Sequence, residues 1–363
     1  MVENSRVVVA MSGGVDSSVT AALLDKEGYE VIGIMLRLWS EPGFGEENKC
    51  CAPDSVIHAR RVANLIGIPF YVIDARRKFQ KNVVEYFMNG YSQGITPNPC
   101  LVCNQLIRWG FLLDEIKKFD AQYLATGHYA RIEQSSNGKI KLLKALDKKK
   151  DQSYVIYMLD QGQLSTTLFP LGIHKKEEVR NLAREFSLPV FDRPESQDLC
   201  FIGNDSYQNF LRRNASHLEK CGDIYSIEGN LIGKHAGVAF YTIGQRKGLG
   251  VHSSQPLYVI NKNASTNTII VGGNEARRKS KFNVSNINWI SGKLPDVLNE
   301  FSVKIRYRSA EIPCRIFPTS ENQIEIHLNE PTNDITPGQA AVPGSGRRFC
   351  AAGRIAKCAG VPC

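Results

Sequence analysis

The sequence predicts an α/β domain on a mostly parallel sheet, followed by a small central β module and a C-terminal β-barrel or sandwich. Three observations carry the prediction. Up to about Cys200, short β-branched runs alternate with longer amphipathic stretches. Beyond about Gly222, apolar residues recur at every second position between turns rich in Gly, Asn and Pro. A glycine-rich turn also sits between the first strand and the first helix. Alternating strands and helices imply right-handed crossovers and a sheet covered on both faces. Two-residue periodicity without long helical stretches is the pattern of a sandwich or barrel.

Taken in order, Val7 to Met11, Val31 to Leu36, Tyr71 to Asp74 and Tyr123 to Thr126 are strands, and a helix runs from the glycine-rich turn to about Glu27. Val56, Ala59, Val62, Ala63 and Ile66 recur at helical spacing ahead of Pro69. A further helix is expected from about Gln105 to Lys118. In the second half Leu257 to Asn261, Thr268 to Val271, Val303 to Arg308 and Ile324 to Leu328 alternate and read as strands. A basic, turn-rich stretch, Asn274 to Lys281, precedes a last module starting near Phe282. The expected domains are 1–210, 211–280 and 281–363.

Composition narrows the function classes. With 363 residues, 42% hydrophobic and 22% charged, the chain can fill a core in each of two or three domains, which excludes a disulfide miniature, a coiled coil and a disordered chain. Its longest apolar runs fall far short of the ~20 residues of a spanning helix. No secretory or organellar leader is legible at the start, so a cytoplasmic protein without membrane association is expected. The ten cysteines are irregularly spaced, which in a reducing compartment points to catalysis or metal binding rather than staples. Charge is uneven: residues 1–200 carry 25 Lys/Arg against 24 Asp/Glu, and the remainder 20 against 12. A basic second half is the footprint of a polyanion such as nucleic acid, or simply a soluble basic surface.

Three motifs carry chemistry. Ser12-Gly13-Gly14-Val15-Asp16-Ser17-Ser18 lies between a strand and a helix, where inward N–H groups and the helix terminus can hold a phosphate or pyrophosphate. It lacks the lysine of a Walker loop, and Asp16 reads as a Mg2+ partner on the phosphates or as a plain helix cap. In Thr96-Pro97-Asn98-Pro99-Cys100-Leu101-Val102-Cys103-Asn104, Cys103 falls near the expected helix N-terminus, where the dipole favours thiolate. Cys100 and Cys103 read equally as a metal-binding or disulfide-forming CxxC pair, or as small apolar residues under a loop. Ser196-Gln197-Asp198-Leu199-Cys200-Phe201-Ile202-Gly203 supplies a further cysteine, reactive or buried.

The first motif resembles the pyrophosphate loop of N-type ATP pyrophosphatases. The three together resemble one family, the bacterial tRNA-specific 2-thiouridylases (MnmA). The likeness continues through Ala125-Thr126-Gly127-His128-Tyr129, Lys150-Asp151-Gln152-Ser153-Tyr154, Thr242-Ile243-Gly244-Gln245-Arg246-Lys247-Gly248-Leu249-Gly250, Arg306-Tyr307-Arg308 and Thr336-Pro337-Gly338-Gln339. It implies a catalytic pyrophosphatase domain, a central β domain and a C-terminal barrel that binds tRNA. It implies ATP contacts at Ala10, Met11, Ser12, Gly13, Gly14, Val15, Asp16, Ser17, Leu36 and Gly127. Cys103 takes the place of the family's nucleophile and Cys200 that of its persulfide carrier, with a disulfide between them as by-product. Asn98, Pro99 and Cys100 would meet the target base, and His128, Lys150, Asp151, Gln152, Arg306, Tyr307 and Gln339 the tRNA. ATP, Mg2+, a reductant and a persulfide carrier protein or cysteine desulfurase are the implied cofactors and partners.

One position departs from the family: Cys100 stands where many members have aspartate. Three thiolates, Cys100, Cys103 and Cys200, are therefore an alternative ligand set for an iron–sulfur cluster. The cluster-free persulfide route is the favoured reading. Residues 303–308 offer one feature independent of the resemblance: alternation would put Lys304, Arg306 and Arg308 on one face as a basic stripe.

Overall fold

The computed structural model describes residues 5–41, 53–194, 199–203, 205–292, 300–333, 335–346, 348–349 and 351–356. Cys50, Cys51, Ser196, Gln197, Asp198, Cys350, Cys358 and Cys363 lie outside them.

Strand β1 (Arg6–Ala10) forms because three consecutive valines are buried on both faces, the pattern of a central parallel strand. It leads through the Gly-Gly turn into α1 (Val15–Lys26), then β2 (Glu30–Arg37), α2 (Pro53–Ile66) and β3 (Phe70–Asp74). The chain then crosses back to β4 (Tyr123–Thr126) on the other side of β1. The order β3-β2-β1-β4, completed by Thr167–Leu168, is parallel throughout. Reversal between β1 and β4 makes their carboxyl ends the switch point, where ligands bind in open α/β sheets.

The segment after β3 is helical in two stretches, 76–92 and 99–115. The second starts earlier than the sequence predicts, because Pro99 occupies the first helical position, where a missing N–H costs nothing. Cys103 is consequently a full turn inside the helix, and its N–H is bonded to the Pro99 carbonyl. Cys100, not Cys103, occupies the first turn. Residues Cys103–Leu112 adopt a π-helix.

The central module is a four-stranded sheet, with Gly222–Ser226 and Leu231–His235 beside Tyr258–Asn263 and Thr268–Gly272. It shares one core with helix 76–92, in which Phe87, Phe210, Ile224 and Val259 are buried together. Beyond it six strands close a ring: Lys279–Trp289, Phe301–Lys304, Ile312–Ser320, Gln323–Thr332, Ala340–Ser345 and Ala351–Ile355. Ile324, Ile326 and Leu328 alternate into its interior. The predicted strand 303–308 ends at Lys304. Ile305 still enters the barrel core, but the chain turns at Arg306, whose carbonyl accepts from Ser309 N–H and hydroxyl, so no three-residue basic stripe forms.

A hairpin of the first module joins this barrel. Strands β5 (Ala130–Gln134) and β6 (Ile140–Lys144) follow β4, and β6 extends the barrel sheet through the pairing of Leu143 with Arg348. Ile132 and Leu142 on the hairpin pack with Ile290, Val342 and Ala352 of the barrel.

Candidate active site

At the switch point a cavity of about 180 Å³ is lined by Ala10, Met11, Ser12, Asp16, Ser17, Leu36 and Gly127, all expected nucleotide contacts. Cys103, His128 and Gln152 line it too. Gly13, Gly14 and Val15 shape the turn rather than the wall. Gly13 has φ +72°, and a Cβ there would meet the Ser55 carbonyl oxygen at 2.3 Å. Gly127 must lack a side chain for a different reason, since a Cβ would stand 2.9 Å from the backbone of Asp16 and Ser17.

The loop is tied by short hydrogen bonds. Ser12 N–H donates to Ser17 Oγ at 3.1 Å, and the Ser18 hydroxyl donates to the Gly14 carbonyl at 2.8 Å. Asp16 Oδ1 accepts from Lys176 Nζ at 2.6 Å and the Tyr129 hydroxyl at 2.8 Å. Arg193 donates to the Gly13 carbonyl at 2.6 Å. Sequence reasoning missed both cations. Lys176 lies 160 residues from Asp16 in the chain, and no spacing signals it.

His128, expected at the tRNA, is buried in the cavity wall. Its Nε2 lies 3.0 Å from Arg108 Nη1 and its Nδ1 2.8 Å from the Thr126 hydroxyl. A guanidinium can only donate, so Nε2 accepts and Nδ1–H donates to Thr126. Burial, with the Arg108 charge, holds the imidazole well below the usual histidine range, so it is neutral. Asp151 also points inward: its Oδ1 accepts from Ala145 N–H at 3.0 Å and the Ser153 hydroxyl at 2.6 Å. Gln152 Oε1 takes the Tyr129 N–H at 3.0 Å. Of that trio Asp151 alone is buried; Gln152 and Lys150 are partly exposed, and the Lys150 N–H is bonded to the Asp147 carbonyl.

A second, wider cavity of about 530 Å³ gathers Arg306, Tyr307 and Gln339 with Thr96, Thr242, Ile243, Arg308 and Thr336. Three modules meet here. Gln339 Nε2 donates to the Thr96 carbonyl at 2.9 Å, Asn98 reaches Gln339 Oε1 at 3.5 Å, and Thr96 N–H donates to the Pro337 carbonyl. Arg306 donates to the Thr336 hydroxyl at 2.5 Å. Burial raises the Tyr307 phenol, and the neighbouring Asp151 and Cys100 act in the same direction. Cys100 is exposed, and Pro99 is buried beneath it.

Cys103 and Cys200 are partly buried against one apolar cluster with Val102, Ile107 and Phe201. Both are thiols in this structure, so the disulfide named in the sequence reading is not the form described. Among the described residues no group of three or more His, Cys, Asp or Glu could hold a metal ion. Cys100, Cys103 and Cys200 thus do not assemble as a cluster ligand set. Asp16 is the carboxylate lining the nucleotide cavity, which suits Mg2+ arriving on phosphates with most of its shell in place.

A switch-point cavity at a Ser-Gly-Gly-x-Asp-Ser turn, in a chain that also carries a closed six-strand barrel, defines a HUP-type nucleotide-binding enzyme with appended β modules. The family descriptions agree: "tRNA methyl transferase HUP domain" matches residues 5–204, "tRNA methyl transferase PRC-barrel domain" 208–273, and "Aminomethyltransferase beta-barrel domain" 279–349. The chain belongs to the tRNA-specific 2-thiouridylase MnmA family. It is 44% identical to the member from Geotalea uraniireducens over 94% of this chain and 93% of that one. With the member from Chloroflexus aggregans it shares 41% over 97% and 99% of the two chains.

Proposed function

We propose that the protein uses ATP to convert the wobble uridine of tRNA to 2-thiouridine, by adenylation followed by sulfur transfer from a cysteine persulfide. The observation that carries this reading is the presence of Cys103 in the same cavity wall as the pyrophosphate turn. An enzyme that only adenylates a small substrate has no use for a thiol there.

The uridine C2 carbonyl is a poor electrophile with no good leaving group. In the first step its oxygen attacks the α-phosphorus of ATP; the O–Pα bond forms, the bond to the β-phosphate breaks, and pyrophosphate leaves. Backbone N–H groups of the turn and the start of α1 favour the phosphate charge. Mg2+, where bound, neutralises phosphate charge, with Asp16 as its protein ligand. In the second step the terminal sulfur of a Cys200 persulfide attacks C2 and AMP departs with the former carbonyl oxygen. Cys103 thiolate attacks the inner sulfur, leaving sulfur on the base and a Cys103–Cys200 disulfide that a dithiol reductant reopens. The sulfur reaches Cys200 from a persulfide carrier or desulfurase.

The wobble base must leave its stack to reach this site. The wider cavity, with Arg306, Arg308 and Tyr307, is suited to the flanking RNA, and Asn98 to Cys100 lie in sequence between Thr96 of that cavity and Cys103 of the nucleotide cavity. The test is mass spectrometry of tRNA nucleosides after incubation with ATP and a persulfide source. 2-Thiouridine with AMP and pyrophosphate is expected, and ADP with phosphate would overturn the assignment. Cys103→Ser and Cys200→Ser should each abolish thiolation with tRNA binding retained.

A further inference from the structure

Arg108 lines the nucleotide cavity and is its one Lys or Arg among the described residues. Local geometry explains how it gets there. In an ordinary α-helix, at about 100° per residue, position 108 would point about 140° away from Cys103 and position 112 about 180° away. In a π-helix the i→i+5 bonding gives about 4.4 residues per turn, so positions four, five and nine apart return to within about 50° of one face. Cys103, Ile107, Arg108 and Leu112 are all four in the cavity wall, while Gln105 and Leu106 are exposed. Leu113 N–H bonds the Arg108 carbonyl, five residues back.

The guanidinium has an unusual partner. Among the described residues Arg108 makes no ion pair with a carboxylate; its acceptor is His128 Nε2 at 3.0 Å. That ring is neutral, oriented by Thr126 and packed against Trp109 and Phe169, whose ring centroids lie 5.4 and 6.4 Å away. The imidazole fixes the fork without neutralising its charge. Lys176, by contrast, is bound to Asp16. The positive charge facing the cavity is therefore that of Arg108.

We propose that Arg108 binds the α-phosphate of the nucleotide in this cavity, placed there by the π-helical register of residues 103–112 and oriented by His128. The inference rests on the reading of the cavity as a nucleotide site, and its test does not involve thiolation. A planar fork suits a phosphate bidentately. The same charge would receive the phosphate of AMP as it leaves the base. His128 is a positioning residue, acting through Arg108.

The experiment is calorimetric titration of the full chain with AMP and with adenosine. Wild type should bind AMP more tightly than adenosine. Arg108→Met should weaken AMP by about tenfold or more, the scale of a lost charge-assisted pair, and leave adenosine unchanged. His128→Gln keeps an acceptor near the Nε2 position and should stay within about threefold of wild type, whereas His128→Leu should resemble Arg108→Met. Should Arg108→Met fail to fold, Arg108→Gln serves in its place. AMP affinity unchanged in these variants, or AMP and adenosine weakened equally, would overturn the proposal. Loss of AMP discrimination in a chain whose wild type never thiolates tRNA would sink the reaction assignment alone; wild-type AMP discrimination retained in Arg108→Met would sink this one alone.

Discussion

The two cavities are built in opposite ways. The nucleotide cavity sits on a parallel sheet, and much of its wall comes from residues close in sequence, Ala10 to Ser17 and Thr126 to His128. The wider cavity is assembled from positions 96, 242–243, 306–308, 336 and 339, held by hydrogen bonds across more than 240 residues. A site on consecutive residues at a strand end inherits the rigidity of the sheet. One assembled across module boundaries inherits whatever mobility the modules have relative to each other.

If the cavities divide the work as proposed, damage to one should spare the other. The largest expected effect is Asp16→Ala, which should slow tRNA-dependent pyrophosphate release by ~10²-fold or more, in the range of lost electrostatic stabilisation. Filter binding of tRNA should be unchanged; a parallel loss of tRNA affinity would merge the two sites.

A matched pair of glycines sharpens the contrast. Gly127→Ala puts a Cβ 2.9 Å from the pyrophosphate turn, and Gly338→Ala, at φ +92°, puts one 2.7 Å from the Thr96 carbonyl. Each should cost ~1–3 kcal/mol in chemical denaturation. Only Gly127→Ala should impair AMP binding, and only Gly338→Ala should weaken tRNA. Equal effects on both ligands would show a single coupled site.

Arg306→Ala is expected to be milder, lowering the slope of log K against log salt by about one, as for a single phosphate contact. An unchanged slope would place the RNA elsewhere.

The smallest effect is on stability against pH. Burial lowers His128 and also His235, which lies in the central module. A histidine held neutral in the fold binds its proton first in the unfolded chain. Its contribution is therefore intact above about pH 6.5 and erodes as pH falls below that value. Urea midpoints at pH 7.5 and 5.5 should differ less in His128→Gln than in wild type, with the remaining drop carried partly by His235.

What the sequence revealed follows the same division. The turn at Ser12 to Ser17 was legible because its residues are consecutive and lie between a strand and a helix. Arg108 was not, because a helix read at 3.6 residues per turn faces it away from Cys103. The alternation at 303–308 predicts a longer strand than forms because Ile305 enters the barrel core after regular strand pairing has ended at Lys304. The resemblance assigns His128 to the tRNA, and no local signal in the sequence marks that both ring nitrogens have partners within the protein, Arg108 and Thr126. Thr96, Thr242 and Thr336 each opened a block noted in the sequence, yet nothing local marked them as neighbours.

The hairpin that joins the first module to the barrel has a consequence for biosynthesis. Leu143 leaves the ribosome about 200 residues before its partner Arg348, an interval of roughly 10 to 40 s at bacterial elongation rates. During that wait the outer edge of β6 is an open strand carrying unpaired peptide groups, able to recruit any passing strand. Lys141 and Lys144 lie along it, charges that discourage such pairing. The nascent chain thus carries a docking edge for its own barrel module, and that edge is covered only once residue 348 has been made.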